Sequence, residues 1–183
     1  MGNDLQISAA TAASQADARA GGTATSAERV VAGLEALIID SIPTAHDFSF
    51  VGVERAAGGL SRENWSLDAT WIDAMGAQSR RLMLMRDAAG TLLATDRKRE
   101  FAVLRALEAT SVPAPKAHWL DHDGRRLGAP SLIMDRMPGR CDYMVLNGAR
   151  PLDARLNLAR AFIDLMARIH AVDWRKLAFK APS

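Results

Sequence analysis

Apolar residues first appear at helical spacing after an amino-terminal stretch that contains few of them. Residues 1–25 are mostly Ala, Ser, Thr and Gly, so they cannot bury enough surface to offset chain entropy, and we expect a disordered tail. From Ser26 to about Ile42 the large apolar side chains share one helical face, at Val30, Leu34, Leu37 and Ile38. Pro43 follows where such a helix would end. The pattern therefore predicts an N-terminal helical segment within residues 26–45.

The period then becomes that of β-strands. Phe48, Phe50 and Val53 suggest one strand, and alternating apolar residues predict a second over 65–71. The continuous apolar run 82–85 is typical of a central strand that is covered on both faces. We expect a helix from Asp96 to about Ala109, strands near 116–120 and 130–136, and a last helix from Pro151 to His170. The predicted fold class is α+β, with a five-stranded antiparallel sheet and one packed helix over residues 46–139.

Composition narrows the classes of partner. The 183 residues are 49% hydrophobic and carry a net charge of only +2, and their basic clusters lack interleaved aromatic residues. We therefore expect no nucleic-acid partner. No apolar run reaches the length of a membrane span, and the amino terminus has no secretory pattern, so we expect no membrane association and a cytoplasmic location. A single cysteine excludes an internal disulfide and a thiolate metal cluster.

A predicted ion pair between Arg86 and Glu100 suggests a function. Glu100 lies at the head of the predicted buried stripe of the second helix, which Val103, Leu104 and Leu107 form. A carboxylate in that place needs a cation, and Arg86 ends the central strand in phase with Leu82 and Leu84. If the helix packs on that face, Arg86 and Glu100 pair as a bidentate fork. Protein kinases hold ATP phosphates with such a strand cation and helical glutamate, although a purely structural ion pair fits the pattern equally well.

Two further segments fit a nucleotide site. A turn at Gly58, Gly59 and Ser61 would let backbone N–H groups and a hydroxyl approach a phosphate. The segment Met134, Asp135, Arg136 and Met137 leaves the sheet and would offer backbone groups to an adenine edge. Each segment alone also reads as an ordinary turn or strand exit.

Taken together, these segments resemble the aminoglycoside phosphotransferase superfamily, which has the protein-kinase-like fold, and in particular the phosphotransferase domains related to those fused to acyl-CoA dehydrogenases. The resemblance covers roughly 46–174 and rests on five stretches in family order: GGLSRENW (58–65), LMLMRDAAGTLL (82–93), REFAVLRALEATSVPAPK (99–116), LGAPSLIMDRMPG (127–139) and LARAFIDLMARIHAVDW (158–174). It implies an ATP-binding N-lobe of a small-molecule kinase. By the same resemblance, the phosphate loop is Gly58, Gly59 and Ser61, the phosphate cation and its partner are Arg86 and Glu100, and the adenine hinge is Met134 to Met137.

The resemblance also implies residues that this sequence does not supply. The family's catalytic loop, His-Gly-Asp with an Asn five residues after the Asp, should follow the last helix, and no match follows His170. Asp142 and Asn147 have the right spacing but precede that helix, which makes the match a coincidence. We therefore expect no catalytic or metal-binding residue in these 183 residues, no activity from this chain alone, and Mg²⁺ binding only together with a C-lobe.

Residues 140–183 are then expected to form a linker and the first helix of an incomplete C-lobe. The apolar stripe of that helix, over 151–170, would be exposed and would favour self-association or pairing with a separate C-lobe. The partner implied for the full-length family is a small molecule with a hydroxyl acceptor, whose identity the sequence does not give. Two alternatives stay open: a non-catalytic module that binds nucleotide or protein, and a sheet-helix scaffold with no nucleotide site.

Overall fold

The computed structural model describes residues 26–56, 62–87, 96–139 and 148–177. The predicted tail (1–25) lies outside these ranges. In chain order the elements are α1 (26–41), β1 (His46–Arg55), β2 (Arg62–Asp73), β3 (Gly76–Asp87), α2 (Arg97–Leu107), β4 (Ala117–Asp121), β5 (Ser131–Asp135), α3 (Leu152–His170) and a short 3-10 helix (Trp174–Lys176). All five predicted strands and all three predicted helices are confirmed in type, with boundaries that differ by up to six residues, the largest difference being at the start of β3.

The sheet is antiparallel throughout, in the order β1-β2-β3-β5-β4. The β2–β3 hairpin keeps one register along its whole length, from Asp73 opposite Gly76 to Arg62 opposite Asp87. Since side chains alternate between the two faces of a strand, this register fixes which residues share a face. Glu63 and Arg86 lie opposite each other on one face, together with Trp65 and Leu84.

One face of the sheet, here called the core face, forms the hydrophobic core. Its most buried side chains come from β2, β3 and β5, and α1 covers them with the stripe that was predicted for it. The cluster contains Val30, Leu34, Leu37 and Ile38 from α1 and Trp65, Leu67, Leu82, Leu84 and Ile133 from the sheet. The fold is therefore the predicted α+β sheet, with α1 as a second helix packed on it.

The opposite face, here called the α2 face, is less completely covered. Its residues include Arg62, Met85 and Met134, which line one cleft together with the side of α2. The predicted buried stripe of α2 is wrong in detail: the buried residues of this helix are Arg97 and Ala102, whereas Val103 is exposed. The helix therefore packs loosely on the sheet, and a cleft remains between the two. No helix among the described residues has the length and hydropathy of a membrane span.

Candidate functional site

Arg86 lies on the core face, and the predicted Arg86–Glu100 ion pair is wrong. The guanidinium of Arg86 donates to Glu63 Oε2 through Nε (3.1 Å) and Nη2 (2.5 Å), and its Nη1 donates to the carbonyl oxygen of Leu127 (3.0 Å). The phase of Arg86 with Leu82 and Leu84 was predicted correctly. The error concerned the helix, because the one that packs on that face is α1 and not α2.

The Arg86–Glu63 pair is largely shielded from solvent. Both side chains are 17% exposed, and Arg55 approaches the second oxygen of Glu63 at 3.3 Å. Burial raises the pKa of Glu63, but the hydrogen bonds and charge of Arg86, together with the charge of Arg55, outweigh this effect and leave the pKa below its ordinary value of 4.5. This pair is a structural tie between β2, β3 and the β4–β5 connection.

Glu100 finds its partners on the other face. α2 begins after Asp96, whose carboxylate accepts a hydrogen bond from the amide of Arg99, so the first helical turn is firmly capped. In that turn, Glu100 Oε2 accepts from Arg97 Nη1 at 2.7 Å. The side chain of Arg97 is 1% exposed, and its Nη2 donates to Asp87 Oδ1 at the end of β3. Arg97 therefore fixes the position of Glu100 relative to the sheet.

The second oxygen of Glu100 meets a cation from β2. Arg62 Nη1 lies 3.3 Å from Glu100 Oε1, and the two side chains are 38% and 26% exposed. Arg62 is the first residue of β2 and directly follows the Gly-Gly-Leu-Ser stretch of the sequence. The Arg62–Glu100 pair is therefore more exposed to solvent than the pair on the core face.

A cleft of about 580 Å³ extends from this ionic group along α2. Its polar lining consists of Arg62, Asp96, Arg99 and Glu100, and the remainder is apolar. The apolar lining residues are Met85, Val103, Leu104, Pro115 and Met134. The cleft thus joins a charged end, beside the start of β2, to an apolar wall that reaches β5.

The predicted hinge lies at the end of β5. Of its residues, Met134 lines the cleft, and Met137 is half-exposed. Asp135 Oδ1 lies 2.6 Å from His118 Nε2, and Arg136 donates to Asp68 from its guanidinium and to the carbonyl oxygen of Arg81 from its amide. These contacts tie the segment to β2, β3 and β4 and give it a fixed direction as it leaves the sheet.

Some predicted site residues cannot be placed. Gly58, Gly59 and Ser61 lie outside the described residues, as do Asp142 and Asn147. Within the described ranges, no group of three or more His, Cys, Asp or Glu side chains is arranged to hold a metal ion.

The last helix exposes the apolar stripe that the sequence predicted. None of the residues of α3 is buried, and its exposed large side chains are Leu152, Leu156, Leu158, Phe162, Ile163, Met166 and Ile169. Association through this stripe stays a prediction.

Sequence reasoning missed Arg62, Glu63 and Arg97. The alternation of Trp65, Leu67 and Trp71 contained a usable signal, since it places Glu63 on the core face and Arg62 on the opposite one. Arg97 lies three residues before Glu100, which is the spacing of neighbours on a helix. Its burial was not predictable, because an arginine at a helix start is ordinarily exposed.

Comparisons with known proteins agree with this architecture. The sequence profile of the phosphotransferase enzyme family matches residues 52–183. A search of curated proteins found no significant match. A solved structure with a similar fold comes from Ralstonia eutropha JMP134 and carries a provisional assignment as an aminoglycoside phosphotransferase, with a TM-score of 0.56 and 21% identity.

That alignment covers 80% of this chain and 39% of the Ralstonia chain, so this chain spans well under half the length of this structural relative. At 21% identity the likeness shows the fold, a five-stranded antiparallel sheet with helices like that of a kinase-like phosphotransferase. The family profile matches more than half of the chain. The chain therefore belongs to the phosphotransferase enzyme family.

Proposed function

We propose that this chain is the nucleotide-binding lobe of an ATP-dependent phosphotransferase, and that ATP binds in the cleft on the α2 face. The observation that carries the proposal is that this cleft has a charged end and an apolar wall. At the charged end, Arg97 holds Glu100 in place. The reaction would transfer the γ-phosphoryl group of ATP to a hydroxyl group of a small molecule. The acceptor class stays open.

The residues that line the cleft fit a nucleotide. Its volume of about 580 Å³ lies in the range of small-ligand sites, roughly 300–1,000 Å³. Met85, Val103 and Met134 offer an apolar surface to a base, and Arg62 and Arg99 offer guanidinium groups to phosphate oxygens. Mg²⁺, when bound with ATP, would neutralise phosphate charge. By the family resemblance its protein ligands belong to a catalytic loop that has no counterpart among these 183 residues.

Calorimetric titration of the chain with ATP, with and without Mg²⁺, tests the proposal. The wild-type chain should bind ATP, and the variant Val103→Glu should bind it about tenfold or more weakly. The new carboxylate would place an unpaired charge in the apolar wall that faces the base, and it would also repel the phosphates. Val103 is 37% exposed, so the new charge should not unfold the helix.

Ile39→Glu is the matched control, because Ile39 is a similarly exposed β-branched residue on α1. Its ATP affinity should equal that of the wild type. The proposal fails if the wild-type chain does not bind ATP, or if both variants bind it as well as the wild type.

A further inference from the structure

The phosphate cation of a kinase-like site is expected on β3, but β3 contributes only Met85 to the cleft. Met85 lies next to Arg86 in the sequence, and alternation directs the two side chains to opposite faces of the sheet. The arginine is held on the core face by Glu63 and the carbonyl oxygen of Leu127. An apolar thioether therefore occupies the place on β3 from which a cation would reach Glu100.

β2 supplies a cation at the same point. The Arg62 guanidinium contacts Glu100 Oε1, while Arg97 holds Oε2 of the same carboxylate. Of these two arginines, Arg97 is fully buried and also bonded to Asp87, whereas Arg62 reaches the solvent in the cleft. A guanidinium has five N–H donors, so a bond to Glu100 leaves others for a ligand.

We propose that Arg62 of β2 is the phosphate-binding cation, a role that a β3 residue usually has in kinase-like sites. Arg62 binds the phosphates of the nucleotide, and Glu100 holds the Arg62 side chain in place. Arg97 acts as a positioning residue, since it contacts Glu100 and Asp87 but is too buried to reach a ligand. The inference rests on the proposed function and adds to it the residue that recognises the triphosphate. It also places Arg86, the cation expected from the sequence, on the other face of the sheet from the nucleotide.

The test compares the affinities of ATP and adenosine in the wild-type chain and in three variants, Arg62→Met, Arg86→Met and Arg105→Met. Methionine keeps much of the apolar stem and removes the charge. Arg62→Met should weaken ATP binding about 10- to 100-fold and leave adenosine binding unchanged, because a lost charge-assisted hydrogen bond affects only the ligand that carries phosphates. Arg105 lies on α2 outside the cleft and pairs with Glu108, so Arg105→Met should bind ATP as the wild type does.

A second measurement uses the wild-type chain and does not depend on the folding of a variant. Phenylglyoxal modification, mapped by mass spectrometry, should be blocked at Arg62 by saturating ATP but not by adenosine, and modification at Arg125 should be unaffected. The inference is overturned if ATP binds but Arg62→Met retains full affinity, if Arg86→Met loses more affinity than Arg62→Met, or if ATP does not protect Arg62. Absence of ATP binding by the wild-type chain would instead overturn the proposed function, and this inference with it.

Discussion

The two faces of the sheet each carry an arginine–glutamate pair, and the comparison separates a structural pair from an accessible one. On the core face, Arg86 and Glu63 are 17% exposed and lie beside a cleft between α1 and the β4–β5 connection, where Arg86 also donates to the carbonyl oxygen of Leu127. On the α2 face, Arg62 and Glu100 are 38% and 26% exposed and border a cleft. Residues 62 and 63 are adjacent in β2, so their side chains point to opposite faces of the sheet. The same kind of ion pair therefore forms in two different environments.

The surroundings decide what each pair can do. All three nitrogens of Arg86 already donate within the protein, to Glu63 and to Leu127, so this pair mainly fixes the positions of the elements it joins. A half-exposed pair contributes little to stability, about 0–1 kcal/mol, but its donors can reach a ligand. The core face is therefore expected to respond to mutation through stability, and the α2 face through binding.

The largest expected difference between the faces concerns two adjacent residues of β3. Leu84 is fully buried in the core cluster, so Leu84→Ala should lower the free energy of unfolding by about 2–5 kcal/mol. Met85 is half-buried on the α2 face, and Met85→Ala should lower it by about 1 kcal/mol. Urea denaturation of both variants measures the two values. Equal losses would show that the α2 face is packed as tightly as the core face.

The sequence predicted the elements well because their patterns are local. The stripe of α1 and the alternation of β2 each repeat within a dozen residues, and the hairpin register then follows from the short connection between β2 and β3. The face of β3 on which Arg86 lies was predictable in the same way, because Arg86 is in phase with Leu82 and Leu84. Which helix covers which face depends on contacts between distant segments, and no local pattern contains that information. The Arg86–Glu100 prediction failed at this point.

The buried arginine of α2 should give the next largest effect. Arg97→Met removes the cation that joins Asp87 and Glu100, and we expect a loss of about 2–3 kcal/mol, because two partly buried carboxylates lose their partner. Thermal and urea unfolding measure the loss. The control is Arg105→Met, which removes an exposed i,i+3 pair of the same helix and a 3.3 Å hydrogen bond to the carbonyl oxygen of Ala117, and it should cost at most about 1 kcal/mol. A loss for Arg97→Met as small as that of the control would contradict the bridging role of Arg97.

A glycine on α1 tests how closely the helix approaches the β4–β5 connection. A Cβ atom at Gly33 would lie 2.3 Å from the carbonyl oxygen of Arg126 and 2.9 Å from Leu127 Cδ2. Helix propensity alone favours Gly33→Ala by about 1 kcal/mol. We expect the opposite sign, a net loss of about 1–2 kcal/mol, because the backbone must move to relieve the contact. Stabilisation by Gly33→Ala in urea denaturation would show that the helix and the connection are farther apart.

The smallest effect, about 1 kcal/mol, is expected for Glu63→Gln, and its pH dependence identifies the cause. Since the pKa of Glu63 is lower in the folded chain than its ordinary value of 4.5, the carboxylate stabilises the fold fully above that value. The contribution is lost as the pH falls through the folded pKa, because the protonated carboxyl no longer attracts Arg86. The difference in unfolding free energy between wild type and Glu63→Gln should therefore be constant from pH 6 to 7 and should shrink below about pH 4.5. A difference that does not change with acidification would mean that the glutamate acts through packing and not through its charge, and the core-face pair would lose its electrostatic interpretation.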